Sequence, residues 1–270
     1  MGASQLTLLG TGNAGALARY NTCFLLRTPA HTLLVDGGGG NTILERLRSV
    51  GLSPTQVDSV FLTHAHSDHL LGLVWIVRQF LTAVKNGKYS GSLPILGHQL
   101  ALESLKTVCQ LTLSSKDRPY LEKNIEWRIL EDGQELQLGD LHLLAFDIHS
   151  TKDRQFGFSA TLPSGRKLVC LGDEPFNERN RPQVEGANYL LCEAFCLYKD
   201  RQIFKPYAKN HSTALDAGRV AQGLGVENLI LYHTEDRTQK DRGQLYSAEA
   251  QESFKGRVWV PEDLESIPLE

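Results

Sequence analysis

The stretch VDSVFLTHAHSDH, residues 57–69, decides the fold. Its first half is a short apolar run typical of a buried strand, and its second half holds four potential metal ligands, His64, His66, Asp68 and His69. Zinc accepts imidazole and carboxylate ligands, and side chains that alternate in direction after a strand can reach two adjacent metal positions. The stretch therefore predicts a dinuclear metal centre at the carboxyl end of a strand.

Strands and helices are predicted to alternate on both sides of this motif. Before it, QLTLLG, TCFLLRT and HTLLVDGG are typical of strands, and NTILERLRSVGL has the apolar spacing of a helix that ends at Gly51. After it, LLGLVWIVRQFLTAV predicts a largely buried helix, LPILG a strand and HQLALESLKTVCQL a second helix. The polar stretch SSKDRPYLEKN is expected to be an irregular surface flap.

The second half of the chain repeats this alternation. Strands are predicted in LHLLAFDIH, QFGFSATL, RKLVCLGD, NYLLCEA and NLILYH, and a helix in TALDAGRVAQGLG. Because strand runs are followed by helices in both halves, we expect two sheets packed face to face with helices outside them. No linker or low-complexity segment divides the chain, so residues 1–270 are predicted to form a single α/β domain.

Composition narrows the class of protein. The chain is 41% hydrophobic and 22% charged, as ordinary globular proteins are. It has no apolar stretch of the roughly 20 residues that span a bilayer, and its N-terminus resembles a strand more than a signal peptide. We therefore expect no membrane association and a cytoplasmic location. The five cysteines are odd in number and lack CxxC pairing, which predicts buried, reduced thiols.

The charge distribution offers little attraction for nucleic acid. The net charge is -3, so a phosphate backbone would need a local basic patch. The best candidate is YKDRQIFKPYAKN, which contains Lys199, Arg201, Lys205 and Lys209. A run of this kind is more commonly a solvated face.

The motif HAHSDH resembles the HxHxDH signature of the metallo-β-lactamase superfamily. Asp36 in LLVDGG matches the family aspartate that ends an earlier strand, and three later landmarks follow in order at predicted strand ends, His149, Asp173 and His233. The resemblance runs from Leu9 to His233. It implies a four-layer αβ/βα sandwich of two mixed sheets with outer helices.

The same resemblance implies a set of metal ligands. One metal would be held by His64, His66 and His149, the second by Asp68, His69 and His233, and Asp173 would bridge both. Asp36 would not bind a metal itself but would orient a ligand by a hydrogen bond, because ligating imidazoles need their other nitrogen hydrogen-bonded. Two zinc ions are expected, although manganese or iron would also suit the carboxylates. A hydroxide shared by two metals is a nucleophile at neutral pH, and Asp68 is expected to accept a proton from the water.

Two further motifs resemble those of ribonuclease Z and its phosphodiesterase relatives. CEAF, with Glu193, is similar to the HEAT motif, and NHSTALDAG, with His211, is similar to the HST motif. The opening LGTGNAGALARYNTCFLL is also similar, with Arg19 and Asn21 in matching places. The resemblance implies that His211 acts as a general acid on the leaving oxygen and that Glu193 orients it.

A plainer interpretation of the HST motif is that Ser212 and Thr213 only cap the helix that follows. The two roles are compatible, because a helix N-terminus is itself an anion site.

Several features depart from the ribonuclease Z pattern. The HEAT position contains CEAF, and HTEDR stands where HFSxRY is usual. Only a short strand pair joins His149 to Asp173, an interval in which ribonuclease Z commonly inserts a long basic arm that grips tRNA. The short interval, together with the net charge of -3, favours a small or cyclic phosphodiester, or an RNA end, as the substrate over tRNA.

Other functions use the same fold. A thioester or lactone hydrolase shares the metal motif but has no need of Glu193 and His211, and a non-catalytic sensor would not need the intact ligand set. An oxygen-reducing diiron protein is disfavoured because His66 is present where that branch has glutamate. The resemblance also raises the expectation of a homodimer. Whether residues 75–124 form a lid or an interface is left open.

Overall fold

Strands and helices alternate in both halves of the computed structural model, which describes residues 3–238 and 240–270. The strands are β1 Gln5–Gly10, β2 Cys23–Arg27, β3 Thr32–Val35, β4 Ser59–Phe61, β5 Leu93–Gly97, β6 Ile125–Ile129, β7 Glu135–Leu138, β8 Leu141–Asp147, β9 Phe156–Thr161, β10 Lys167–Cys170, β11 Tyr189–Glu193, β12 Asn228–Tyr232, β13 Arg257–Trp259 and β14 Ser266–Pro268. The helices are α1 Thr42–Ser49, α2 Ser67–Lys85, α3 Gln99–Thr112, α4 Arg118–Asn124, α5 Arg181–Val184, α6 Arg201–Phe204, α7 Ala214–Gly223 and α8 Arg242–Gln251.

The strands form two mixed sheets of seven strands each. The order in the first sheet is β14-β1-β2-β3-β4-β5-β6, and in the second β13-β12-β11-β10-β9-β8-β7. Strands β3 to β6 run parallel to one another, as do β10 to β13. Each sheet therefore has a parallel half whose carboxyl ends lie along a single edge.

Three apolar clusters join the layers. Between the sheets, the ring of Phe158 contacts those of Phe24 and Phe61 at centroid distances of 6.5 and 5.1 Å. A second cluster fills the space between the first sheet and helices α1 to α4, and a third lies between the second sheet and helices α5, α7 and α8. The predicted four-layer arrangement of two mixed sheets with outer helices is confirmed.

Some elements differ from the sequence prediction. The segment expected to be an irregular flap contains α4, which has a proline in its first turn and packs Leu121 into the second cluster. Strands β6, β7, β13 and β14 and helix α8 lie outside the predicted elements. Strand β7 is mostly exposed and α8 buries Arg242, so neither shows a clear apolar period.

The cysteines are buried and unpaired, as predicted. Burial raises the pKa of Cys109, Cys170 and Cys196 to about 12, so these thiols stay protonated near neutral pH. None of the described helices has the length and apolar character needed to cross a membrane.

Candidate dinuclear metal centre

The carboxyl ends of parallel strands bring the predicted site residues together. In the first sheet, Asp36 follows β3 and His64 follows the adjacent strand β4. In the second sheet, Asp173 follows β10, Glu193 ends β11 and His233 follows β12, and these three strands are parallel neighbours. Because the sheets face each other, the two rows of strand ends form the walls of one site.

Unusual backbone conformations mark these strand ends. Asp36, His149 and His233 have φ angles of 58°, 58° and 57°, in the left-handed region that residues with a Cβ rarely adopt. Gly172, just before Asp173, has a φ of 74°. Such conformations turn the chain abruptly after a strand and persist where the surrounding structure enforces them, commonly at functional sites.

The HAHSDH motif is divided between extended chain and helix. Helix α2 begins at Ser67, so His64 and His66 precede it, whereas Asp68 and His69 lie in its first turn. The alternation of side chains that the sequence analysis expects after the strand therefore does not extend to Asp68 and His69. The helix begins early because a carboxylate in the first turn favours its positive end.

Candidate ligand atoms form two adjoining clusters. The first contains His64, His66 and Asp173 and the second Asp68, His69 and His233, and the ligand atoms of each lie within 4.8 Å of one another. The Oδ2 atom of Asp173 is 3.6 Å from Nε2 of His64. It is 3.7 Å from Nε2 of both His69 and His233. This position between the clusters supports the predicted bridging role.

His149 stands apart from these groups. Among the described residues, no cluster of candidate ligand atoms includes it. It is half-buried beyond the end of β8, and its backbone amide donates to Asp147 Oδ1 at 2.7 Å. His66, the expected partner of His149 at the first metal, has its Nε2 3.1 Å from Asp153 Oδ2. The ligand role of His149 stays a prediction.

Hydrogen bonds to Nδ1 orient two of the candidate ligand histidines. Asp36 Oδ2 lies 2.7 Å from His69 Nδ1 and accepts the Thr63 hydroxyl at 2.8 Å. The Thr63 hydroxyl oxygen in turn lies 2.9 Å from His64 Nδ1. Because the hydroxyl donates to Asp36, its oxygen accepts the hydrogen bond from the Nδ1–H group of His64. Both rings thus use Nδ1 for the protein and leave Nε2 for a metal, an arrangement typical of metal-binding histidines.

Unpartnered buried atoms test whether a metal fits here. Within the two clusters, five buried atoms have no hydrogen-bond partner among the described residues: Nε2 of His64, Nε2 of His69, Oδ1 of Asp173 and both ring nitrogens of His233. A buried polar atom without a partner costs about 1–3 kcal/mol, so five in one place require a compensating ligand. Imidazole and carboxylate donors match a divalent metal such as zinc. The donor set fits.

The ionisation states of the residues in the two clusters suit the binding of cations. Burial alone would raise the pKa of Asp68 and Asp173, but the neighbouring histidines hold both values well below the usual range. Burial holds the pKa of His64 well below its ordinary value, so this ring is neutral. Burial lowers the pKa of His69 as well, but Asp68 and Asp36 outweigh it and raise that pKa well above normal. A metal that bound His69 would therefore have to displace a proton from it.

His211 lies beside the second cluster. Its ring centroid is 5.3 Å from that of His233, and Glu193, His211 and His233 make a third group of candidate ligand atoms. Oε2 of Glu193 is 3.6 Å from His211 Nδ1, beyond hydrogen-bond length. The buried carboxylate of Glu193 instead accepts the backbone amides of Phe195 and Ser212, at 3.1 and 2.5 Å. Glu193 thus holds the chain around His211, and its effect on the His211 tautomer stays a prediction.

The HST segment also caps helix α7. Thr213 is the N-cap residue, and its hydroxyl accepts the Asp216 amide at 3.3 Å while the Asp216 carboxylate accepts the Thr213 amide at 3.1 Å. This is a capping box. The cap accounts for Thr213 but does not account for His211, whose side chain lies in the site.

An open cavity of about 320 Å³ adjoins the clusters. It is lined by Asn13, Ala14, Gly15, His66, Asp68, Lys152, Asp173, Phe195, Lys209, His211 and His233. Of the four cations in the predicted basic patch, only Lys209 lines this cavity, and Lys152 was not anticipated. None of the described lining residues comes from residues 75–124.

Glu174 is a buried residue that the sequence analysis missed. Its carboxylate accepts the Ser150 hydroxyl at 2.7 Å and the side-chain amide of Asn210. It thereby joins the loop after His149 to the loop before His211. A single acidic residue beside Asp173 carries no pattern that would reveal this contact.

Changing Asp36 to asparagine should weaken metal binding. Asparagine tolerates the left-handed backbone at this position, so Asp36→Asn removes the charge that His69 and Thr63 contact without straining the turn. We expect the metal dissociation constant to rise about 10- to 100-fold, as for other residues behind metal ligands. Calorimetric titration with zinc measures it. Asp58→Asn, an exposed aspartate ahead of β4, is the control, and equal effects of the two variants would contradict the assigned role.

Comparison with known proteins places the chain in a family. The family model for "Anti-Pycsar protein Apyc1" matches residues 4–252. The chain belongs to this family. It is also similar to the ribonuclease Z of Marinobacter nauticus, with 25% identity covering 98% of this chain and 96% of that protein.

Solved structures show the same fold. The metallo-β-lactamase fold protein YhfI of Bacillus subtilis has a TM-score of 0.79 at 21% identity, covering 98% of this chain and 99% of that one. The short form of human tRNase Z has a TM-score of 0.76 at 19% identity, with the same coverage. The predicted metallo-β-lactamase fold and ribonuclease Z-like resemblance are confirmed, and the chain is a metal-dependent hydrolase. The homodimer and the cytoplasmic location stay predictions.

Proposed function

We propose that this chain is a phosphodiesterase that binds two divalent metal ions, preferably zinc, and hydrolyses a small or cyclic phosphodiester or an RNA end. The cavity carries the proposal, because it places Lys152, Lys209 and His211 beside the two ligand clusters. A phosphodiester is anionic, and its charge grows on the phosphoryl oxygens during hydrolysis. Cationic groups already in place stabilise that charge.

Each residue of the site has a part in this chemistry. His64, His66 and Asp173 would hold the first ion, joined by His149, and Asp68, His69 and His233 the second, with Asp173 shared. When bound, the ions supply an acidified water and a positive charge for the phosphoryl oxygen. Asp68, on the cavity wall and charged, would accept the proton of the attacking water. His211, on the same wall, would donate a proton to the leaving oxygen.

Three features support a small substrate. The cavity, at about 320 Å³, is near the lower end of ligand pockets. Residues 150–172 contain only β9, β10 and their connections, which supports a substrate that needs no long tRNA-binding arm in this interval. The net charge of -3 provides no general attraction for a long polyanion.

The test is a comparison of substrate classes. Protein reconstituted with zinc or manganese is assayed for initial rates on bis(p-nitrophenyl) phosphate, a thioester and a lactone. We expect hydrolysis of the phosphodiester alone, its loss on chelation and its return with added metal. Hydrolysis confined to the thioester or lactone would leave the metal centre standing but overturn the phosphodiesterase assignment. Bound metal with no turnover of any substrate would favour a sensor.

A further inference from the structure

Phe195 lies face to face with His211. The ring centroids are 4.7 Å apart and the planes differ by 14°, the geometry of a stacked aromatic pair. His211 Nδ1 has no hydrogen-bond partner among the described residues, and the nearest Glu193 oxygen is 3.6 Å away. No hydrogen bond at Nδ1 holds this ring, so the stack on Phe195 determines its plane.

Phe195 is itself held rigidly. Its amide donates to the Ser212 carbonyl at 3.0 Å as well as to Glu193, and its carbonyl accepts the Glu235 amide at 2.8 Å. The residue is only 8% exposed. The rings of Phe195 and Phe204 form a T-shaped pair with centroids 6.4 Å apart, and Lys209 Nζ lies 4.9 Å from the centre of the Phe195 ring. A platform fixed by both backbone and side chain can orient the imidazole that stacks on it.

We propose that Phe195 is a positioning residue, whose ring holds the His211 imidazole in the orientation in which its other nitrogen, Nε2, faces the leaving oxygen. The proposal rests on the proposed phosphodiesterase function. In the step concerned, the water oxygen forms a bond to phosphorus and its proton passes to Asp68. The bond from phosphorus to the leaving oxygen breaks, and that oxygen keeps the electron pair and takes the proton of His211 Nε2. An imidazole that rotates freely would make this transfer less often.

Two leaving groups separate this role from a merely structural one. Diphenyl phosphate and bis(p-nitrophenyl) phosphate are similar in shape, but phenolate is much more basic than p-nitrophenolate and needs the proton more. For Phe195→Leu we expect kcat on diphenyl phosphate to fall about 10- to 100-fold, against about threefold or less on bis(p-nitrophenyl) phosphate. KM and metal content should stay unchanged. Phe195→Tyr, which keeps the aromatic face, should retain the wild-type ratio of the two rates.

A spectroscopic measurement tests the stack without relying on turnover. In the zinc-loaded protein, the ring protons of His211 should be shifted upfield by the face of Phe195, and this shift should vanish in Phe195→Leu. The signals are assigned by their loss in His211→Ala. Trp75→Leu is the control and should keep the shift, because Trp75 packs in the second apolar cluster and forms no ring contact with Phe195 or His211 among the described residues.

The outcomes are distinct. An upfield shift together with a loss that depends on the leaving group supports the proposal. Absence of the shift, or equal loss on both diesters, overturns it while the phosphodiesterase function stands. If the wild-type protein hydrolyses neither diester, the proposed function fails and the role of Phe195 fails with it, whatever the spectrum shows.

Discussion

Replacing Asp173 by alanine should lower kcat/KM on the best phosphodiester on the order of 10³-fold or more. The carboxylate lies within 3.7 Å of Nε2 atoms of His64, His69 and His233, so both ligand clusters depend on it. Without its charge, two cations placed near each other lose the group that screens their repulsion. Elemental analysis should show less than two metal ions per chain in Asp173→Ala.

An isosteric variant separates charge from packing. Asp173→Asn keeps the side-chain volume at this buried position but removes the negative charge, and it should lose metal and activity nearly as far as the alanine variant. Thermal melting of both variants in the presence of a chelator shows whether the fold persists. Wild-type metal content and activity in Asp173→Asn would refute the bridging role.

The second large effect is expected for His211→Ala. A general acid typically contributes about 10²- to 10⁴-fold, so kcat should fall by this order, and more on diphenyl phosphate than on bis(p-nitrophenyl) phosphate. Metal content should stay at the wild-type value, because His211 belongs to neither of the two principal ligand clusters. Rate measurements and elemental analysis on the same preparation test both statements.

A neighbouring residue provides the matched control for His211. Thr213→Ala removes the N-cap of α7, which should cost about 1 kcal/mol of stability and leave the site chemistry in place. Loss of activity in Thr213→Ala equal to that in His211→Ala would mean that the HST motif acts mainly as a helix cap. Loss of metal in His211→Ala would instead make this histidine a ligand.

Strand ends were the most predictable part of the site. Asp36, His64, Asp173 and His233 each follow an apolar run, and such runs are recognisable because strands buried on both faces are continuously apolar. The start of α2 was misplaced, since a helix whose first turn is polar has no apolar period there. Strand β14 was missed because its three residues pair with β1 across almost the whole length of the chain.

The sequence by itself determined the metal-binding motif, the order of its landmarks, the two-sheet sandwich and the buried state of the cysteines. These follow from residue type and short-range period, which are properties of neighbours along the chain. Only the tertiary structure decided that Glu174 joins two loops, that Lys152 lines the cavity, and that Phe195 stacks on His211 beside Lys209. Such contacts depend on how separate strand ends meet across two sheets, and no local pattern records distances of that kind.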